Sequence, residues 1–151
     1  TGILLPFFQE REIEAKQVFE MDISHKMLRI TRDKFQYTFP TCCIQADGHF
    51  LPFHQNSFHT VFAFQVFPHF HHKDKVAEQI HSVLTNDGQL IILHMMDHKG
   101  LNDLHERAGR AVENDRILPA EQLADLLQNN KFTVNHVEEK PDLYLIIAQK
   151  K

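Results

Sequence analysis

Cysteine is nearly missing from this chain: its 151 residues hold two, and they are neighbours, Cys42 and Cys43. Adjacent strand residues point to opposite faces, so these thiols are not expected to bond to each other and supply no disulfide framework. Such usage fits a reducing, cytoplasmic setting. An excess of positive charge is missing too. Lys and Arg number 16 against 20 Asp and Glu, for a net charge of −4 with neutral histidines, and no Lys-Arg run occurs. That balance argues against a nucleic-acid partner. Long apolar runs are also lacking. The longest, such as Leu90 to Leu93 and Leu143 to Ala148, fall far short of the roughly 20 residues of a membrane-spanning helix, so no membrane partner is expected. Repeats, low-complexity tracts and linker-like stretches are absent, which leaves a single domain over residues 1–151.

What is present is ordinary for a globular domain, with 42% hydrophobic and 24% charged residues. The length suits one sizeable core. One excess stands out: twelve histidines, several of them close together.

Apolar spacing predicts a helix over 3–15, with Pro6 in its first turns, and a β-prone run from Gln17 to Asp22. Ser24 offers an N-cap to a helix over 25–36 whose inner side is Met27, Ile30 and Phe35. Cys42 to Ala46 reads as a strand halted by Asp47-Gly48. Residues 51–58 read as loop and Thr60 to Val66 as a buried strand. A helix over 73–85 buries Val76, Ile80, Val83 and Leu84. Asn86-Asp87-Gly88 turns the chain into a strand over Gln89–Met95, whose Leu-Ile-Ile-Leu core suits cover on both faces. Further helices are predicted over 101–113 and from Pro119, the latter carrying Leu123, Leu126 and Leu127 and ending on a left-handed Asn130. Two last strands, 132–138 and 143–149, are joined by Lys140-Pro141-Asp142, which suits an antiparallel pair. The expected fold is α/β: a Rossmann-like, open, mostly parallel sheet with helices on both faces and a terminal antiparallel strand. Ligands of such sheets bind beyond the carboxyl ends of the strands, so acids, glycines and histidines there are the candidates for chemistry.

Asp22 closes the first strand. A carboxylate there can accept hydrogen bonds from both hydroxyls of a ribose; it can equally be a helix-start acid beside the Ser24 cap. Asp47 can accept from the exocyclic amine of adenine while Gly48 lets the backbone come close to the ring, or the pair can be a plain Asp-Gly turn. Thr1-Gly2 precedes a helix, where backbone N–H groups favour an anion.

Together these segments resemble a known family. Phe19-Glu20-Met21-Asp22-Ile23-Ser24-His25-Lys26-Met27-Leu28 resembles the strand-acid-Ser-x-x-Met-Leu signature of class I S-adenosylmethionine-dependent methyltransferases. Ala46-Asp47-Gly48-His49-Phe50-Leu51-Pro52-Phe53-His54-Gln55-Asn56-Ser57-Phe58 is similar to their Ala-Asp-x-x-x-Leu-Pro-Phe-x-x-x-Ser-Phe segment, and Val83-Leu84-Thr85-Asn86-Asp87-Gly88-Gln89-Leu90 to their Val-Leu-Lys-Pro-Gly-Gly-x-Leu turn. Order and spacing agree along almost the whole chain, most closely with the broad group that includes the ubiquinone and menaquinone C-methyltransferases. The resemblance implies a seven-stranded sheet with its last strand inserted antiparallel, and S-adenosylmethionine as cofactor. It implies that Asp22 holds the ribose, Ile23 flanks the adenine and Asp47, with Gly48, takes its amino group. Phe64 and Gln65 would lie near the methionine part, and Gly2 would be the last glycine of a Gly-x-Gly-x-Gly loop.

The chain departs from that pattern at His59, where the family has Asp, and at Asn86-Asp87, where it has Pro-Gly. The first family strand and most of the glycine loop have no counterpart in the sequence. That strand belongs in the middle of the sheet, and without it two neighbouring strands would leave backbone groups unpaired in a buried place. The expectation is a fragment of a longer protein in which the 17–22 and 60–66 strands do not pair directly.

Histidine suits the removal of a proton from a methyl acceptor near neutral pH, and His69, His94, His98 and His105, in that order, are the candidates. Each can instead be solvated surface, and His105 can simply border the stripe of Leu101, Leu104 and Ala108. A metal held by His94, Asp97 and His98 would need those residues on one helix, whereas 89–95 reads as strand, so no metal is expected. The segment 97–118, with Met95 and Met96, is expected to shape the acceptor pocket. The expected function is methyl transfer from S-adenosylmethionine to a small-molecule partner. The alternatives are a non-catalytic relative with a binding or structural role, a nicotinamide-dependent oxidoreductase, and a histidine-based metal-binding module. Acceptor atom, pathway and oligomeric state leave no trace in the sequence.

Overall fold

A computed structural model describes residues 2–11, 13, 15–35, 40–109, 112 and 115–151, in two compact units, Thr1–Asp47 and Gly48–Lys151. In the first unit, Gly2 has φ +61°, a left-handed conformation that a side chain would strain, and it leads into helix α1, Leu5–Glu10. The helix is shorter than the expected 3–15; Pro6 sits in its first turn, and residues 12 and 14 lie outside the described set. Strand β1, Val18–Asp22, pairs in parallel with β2, Thr41–Gln45. Helix α2, His25–Phe35, connects them and packs on both. Its start is capped as expected, the Met27 N–H donating to Ser24 Oγ at 3.4 Å. Its buried side is Leu28 and Thr31, whereas Met27 is 38% exposed. The inward stripe therefore follows the position of the two-stranded sheet and not the bulkiest apolar side chains.

The second unit holds the larger sheet. Its strands are β3, Phe58–Phe64; β4, Leu84–His94; β5, Phe132–Lys140; and β6, Leu143–Lys150. They run in the order β3-β4-β6-β5. The β3–β4 pair is parallel, and β6 lies antiparallel to both of its neighbours, as expected of the terminal pair. Helix α3, Lys73–Val83, makes the crossover from β3 to β4; α4, His98–Ala108, and α5, Ala120–Asn129, precede β5. Leu90 and Ile92 of β4 face the same side as Ile146 and Ala148 of β6 and join Val76, Ala77 and Ile80 of α3 with Leu123 and Leu127 of α5 in one core. Each fully buried side chain of this size stabilises the fold by about 1.5–3 kcal/mol. Both family departures sit without difficulty: His59 is exposed within β3, and Asp87 takes a left-handed conformation, φ +62°, near the start of β4.

Three expectations need correction. The left-handed residue after α5 is Lys131, φ +66°, while Asn130 has φ −95° and donates its side-chain amide to Leu126 O at 2.9 Å. Helix α4 begins at His98, three residues early, because Asp97 caps it by accepting from the Gly100 N–H at 2.7 Å. Strand β4 begins at Leu84, so the expected turn at Asn86-Asp87-Gly88 falls inside the strand. The described residues form six strands in two sheets with β1 and β3 in different sheets, in keeping with the expectation that the 17–22 and 60–66 strands do not pair directly.

One carboxylate ties the helices of the second unit to the sheet. Glu139, near the end of β5, accepts from the backbone N–H of His98 at 2.7 Å and from its ring Nδ1 at 2.6 Å with Oε1, and from the Ala120 N–H at 2.9 Å with Oε2. It thus meets the first turns of α4 and α5, where the helix dipole favours a negative charge. Burial by itself would raise the Glu139 carboxyl, but the two backbone donors and the His98 ring together hold it below the usual range. With an ordinary unfolded value and a lower folded one, its stabilisation is complete above about pH 4.5 and is lost as pH falls through the folded value. Glu139→Gln is expected to lower the unfolding free energy at pH 7 by about 1.5–3 kcal/mol. Urea denaturation should show that gap closing as the pH falls through the lowered folded value of Glu139.

Candidate active site

In the first unit the parallel register Val18↔Thr41 through Asp22↔Gln45 brings the carboxyl ends of β1 and β2 to one edge. Asp22 is the last residue of β1, and Asp47 follows the end of β2 by two residues. The Ala46 N–H donates to Asp22 O at 3.2 Å, which extends the ladder between them. Asp22 Oδ1 accepts from the Ser24 N–H at 2.8 Å. The local helix-start role considered for this acid therefore occupies one of its oxygens. Ile23, beside it, is 68% exposed, a large apolar side chain on the same edge. The Gln45 side-chain amide donates to Ile23 O at 3.0 Å and braces that tip.

In the second unit Gly48 is buried, and a Cβ on it would stand 2.6 Å from Cε1 of Phe70. The requirement for glycine here is set by that ring, which is itself wedged edge-on against Phe67 and His49 at centroid distances of 5.5 and 5.7 Å. The segment after Gly48 is pinned to α3 by the Leu51 N–H donating to Gln79 Oε1 at 3.1 Å. Phe64 ends β3 half-buried, and exposed Gln65 follows with φ +50°. Left-handed residues other than glycine cluster at ligand-binding edges, where surrounding structure holds the strain.

The histidines divide into two groups. His69 ends a 3-10 turn over Phe67–His69, and its Nδ1 lies 2.6 Å from Asp115 Oδ2. His105, from α4, donates Nδ1–H to the backbone oxygen of the same Asp115 at 2.9 Å and stacks on His69 with centroids 5.3 Å apart and planes 28° apart. His94, the last residue of β4, is 1% exposed, and neither ring nitrogen has a hydrogen-bond partner among the described residues. Its ring meets Tyr144 edge-on at 5.6 Å, while the Tyr144 hydroxyl donates elsewhere, to Leu118 O. Burial, then the charges of neighbouring His69 and His105, push the His94 imidazole down to about 4. It is therefore neutral at pH 7, with one donor and one acceptor nitrogen. His98 belongs to the other group, its Nδ1 committed to Glu139 and its position that of a helix anchor. His94 ends a strand and His98 opens a helix, so the two do not share a helical face; among the described residues no group of three His, Cys, Asp or Glu could hold a metal ion.

Sequence reasoning missed Asp115, Glu139 and Phe70. Asp115 lies 46 residues from His69 and Glu139 lies 41 from His98, separations at which no local spacing rule speaks. Phe70 left no signal of its own, because the glycine its ring requires could equally be read as part of an Asp-Gly turn.

A family model described as a methyltransferase domain matches residues 1–92. No curated protein matches the sequence. Among solved structures, a SAM-dependent methyltransferase from Aquifex aeolicus superposes with a TM-score of 0.77 at 16% identity, over 99% of this chain and 77% of that one. The YcgJ protein from Bacillus subtilis gives 0.80 at 13%, over 99% and 88%. The [4+2]-cyclase SpnF gives 0.72 at 17%, over 99% and 72%. At such identities the structures establish the fold, and the cyclase among them shows that the fold by itself does not select a reaction.

The buried imidazole makes a measurable prediction. His94 titrates near 4 in the folded chain and near 6.5 when unfolded, so the unfolded state binds the extra proton between those values. Stability is then complete above pH 6.5 and falls by about 3 kcal/mol as the pH drops towards 4. His94→Leu removes that proton uptake. Unfolding free energies measured across pH 4–6.5 should slope less steeply in the variant, and equal slopes would show that the imidazole is not held neutral.

Proposed function

The chain belongs to the methyltransferase domain family, and on that premise we propose that it moves a methyl group from S-adenosylmethionine to a small-molecule acceptor. The observation that carries the reading is the shared edge of β1 and β2, where β1 ends on Asp22 beside exposed Ile23 and Asp47 follows the end of β2 by two residues. That edge fits an adenosine: Asp22 keeps a carboxylate oxygen beyond its bond to Ser24 for the ribose hydroxyls, Asp47 accepts from the adenine amine, and Ile23 gives the ring an apolar surface. Bound there, S-adenosylmethionine supplies an electrophilic methyl group on a sulfonium and leaves as a neutral thioether. Gly2, with its left-handed backbone, takes the place of the last glycine of the family loop. Gly48 beside the adenine, and Phe64 and Gln65 toward the methionine part, are carried by the same resemblance.

The protein's work in such a displacement is positioning, which supplies much of the acceleration, and deprotonation where the acceptor carries a proton. A reducing, cytoplasmic location suits the two thiols. Among the described residues no helix is long and apolar enough to cross a membrane.

An acid after a second strand would also serve a nicotinamide dinucleotide, so binding decides between the two readings. Isothermal titration is expected to show S-adenosylhomocysteine binding to the full chain and no heat from NAD. Asp22→Ala and Asp47→Ala should each weaken that binding by about 10- to 100-fold, the worth of a hydrogen bond to a charged group, without loss of the folded state. Heat from NAD alone, or wild-type affinity in both variants, would overturn the assignment. Binding without transfer to any acceptor would favour the non-catalytic relative.

A further inference from the structure

We propose that the second unit carries a binding site for a small, mainly apolar carboxylic acid, in a cleft between the turn that precedes α3 and the chain that leads into α5. The site uses residues of that unit alone, so it stands or falls independently of the methyl-transfer reading.

The cleft has a volume of about 430 Å³, within the range that small ligands occupy. Its apolar wall is Pro68 from the 3-10 turn, Leu118 from the segment before α5 and Leu126 from α5 itself. Pro68 is buried, and Leu118 and Leu126 are half-buried where the core meets the cleft. An apolar body laid on this wall removes it from water, which favours binding.

The rim of the cleft is charged. Lys73 opens α3, Arg116 follows the buried Asp115, and exposed His71 adds a further polar ring. The ion pairs among the described residues involve His69, His98, His136 and Lys140, and neither Lys73 nor Arg116 takes part in one. Lys73 Nζ donates to Phe70 O at 2.7 Å, and an ammonium has three protons to give. Burial pushes the Lys73 ammonium down from its usual range, and the charge of Asp115, which favours it, does not offset that cost. Asp115 is itself committed to His69 at 2.6 Å. A half-buried cation without a carboxylate of its own is stabilised by an anion brought into the cleft. Arg116 is exposed, and its planar guanidinium carries paired N–H donors suited to the two oxygens of a carboxylate.

The charge of the lining narrows the class of anion. Lys73 and Arg116 are the two cations and Asp74, in the first turn of α3, is the one acid, which leaves a single positive charge when histidine is counted neutral. A monoanion balances that charge. A phosphate dianion would bring its second charge against Asp74, and an ammonium would meet two cations. Beyond its carboxylate the ligand faces Pro68, Leu118 and Leu126, none of which offers a side-chain hydrogen bond, so the rest of it is apolar.

A 1H–15N NMR titration of the full chain with 2-naphthoate tests the site. Saturable shifts are expected at the amides of residues 69–74, 116–118 and 126, with a Kd of about 1 mM or tighter. 2-Naphthamide, which has the same shape and no charge, should bind about tenfold more weakly, and inorganic phosphate more weakly than naphthoate. Arg116→Gln, at an exposed position, and Lys73→Gln, which can still donate to Phe70 O, should each weaken naphthoate binding by about five- to tenfold and leave naphthamide binding unchanged. Absence of saturable shifts, shifts confined to residues outside the cleft, equal affinity for naphthoate and its amide, tighter binding of phosphate, or wild-type affinity in both variants would overturn the proposal. Each of these leaves S-adenosylhomocysteine binding untouched, whereas failure to bind S-adenosylhomocysteine would overturn the methyl-transfer reading and leave the cleft as it stands.

Discussion

A strand presents its side chains alternately to two faces, and in β4 that alternation leaves His94 no choice. Leu90 and Ile92 must face the core that α3 and α5 cover, so residue 94 faces it too, opposite Tyr144 in the β4–β6 register. The hydrophobic burial that holds the larger sheet together thus carries an imidazole into the interior at the strand's carboxyl end. Burial keeps it neutral, and neither of its ring nitrogens finds a partner among the described residues. The arrangement of His69, His105 and Asp115 around it belongs to the same edge.

The two acids that manage the histidines act in different ways. Glu139 spends both oxygens on the starts of α4 and α5 and takes the His98 ring as an additional donor. Its role is to fix where α4 begins, and thereby where His105 comes to lie two turns later. Asp115 makes one side-chain contact and one backbone contact, each to an imidazole, and leaves His69 partly exposed. A carboxylate that anchors helices and a carboxylate that holds a half-exposed imidazole are told apart by what remains reachable beside them.

Much of the fold was legible in the sequence. The apolar periods located the strands, β4 alone beginning five residues before its expected start, and the short Lys140-Pro141-Asp142 connection announced the antiparallel pair. The acids at 22 and 47 could be read because a strand end and an Asp-Gly turn are local features, and the parallel pairing of β1 and β2 brings both to one edge. Local reading failed where a helix phase or a cap depended on a distant partner. Met27 looked like an inward residue by size, yet the sheet below α2 selects Leu28 and Thr31. The early start of α4 depends on Asp97 and on a glutamate from another strand.

The histidines mark the boundary between the two kinds of information. Their number and their clustering after β3 and β4 are properties of the chain, as are the strand periods that set which of them turn inward. Which is anchor and which stays reachable was decided only when β5 and the segment before α5 folded back to deliver Glu139 and Asp115. A hydrogen bond between residues some forty positions apart has no period and no spacing, because its geometry exists only once the sheet is assembled. The sequence by itself determined the strands, the family and the two acids at adjoining strand ends; tertiary packing alone assigned the histidines their partners, since side-chain contacts depend on neighbours that chain order does not specify.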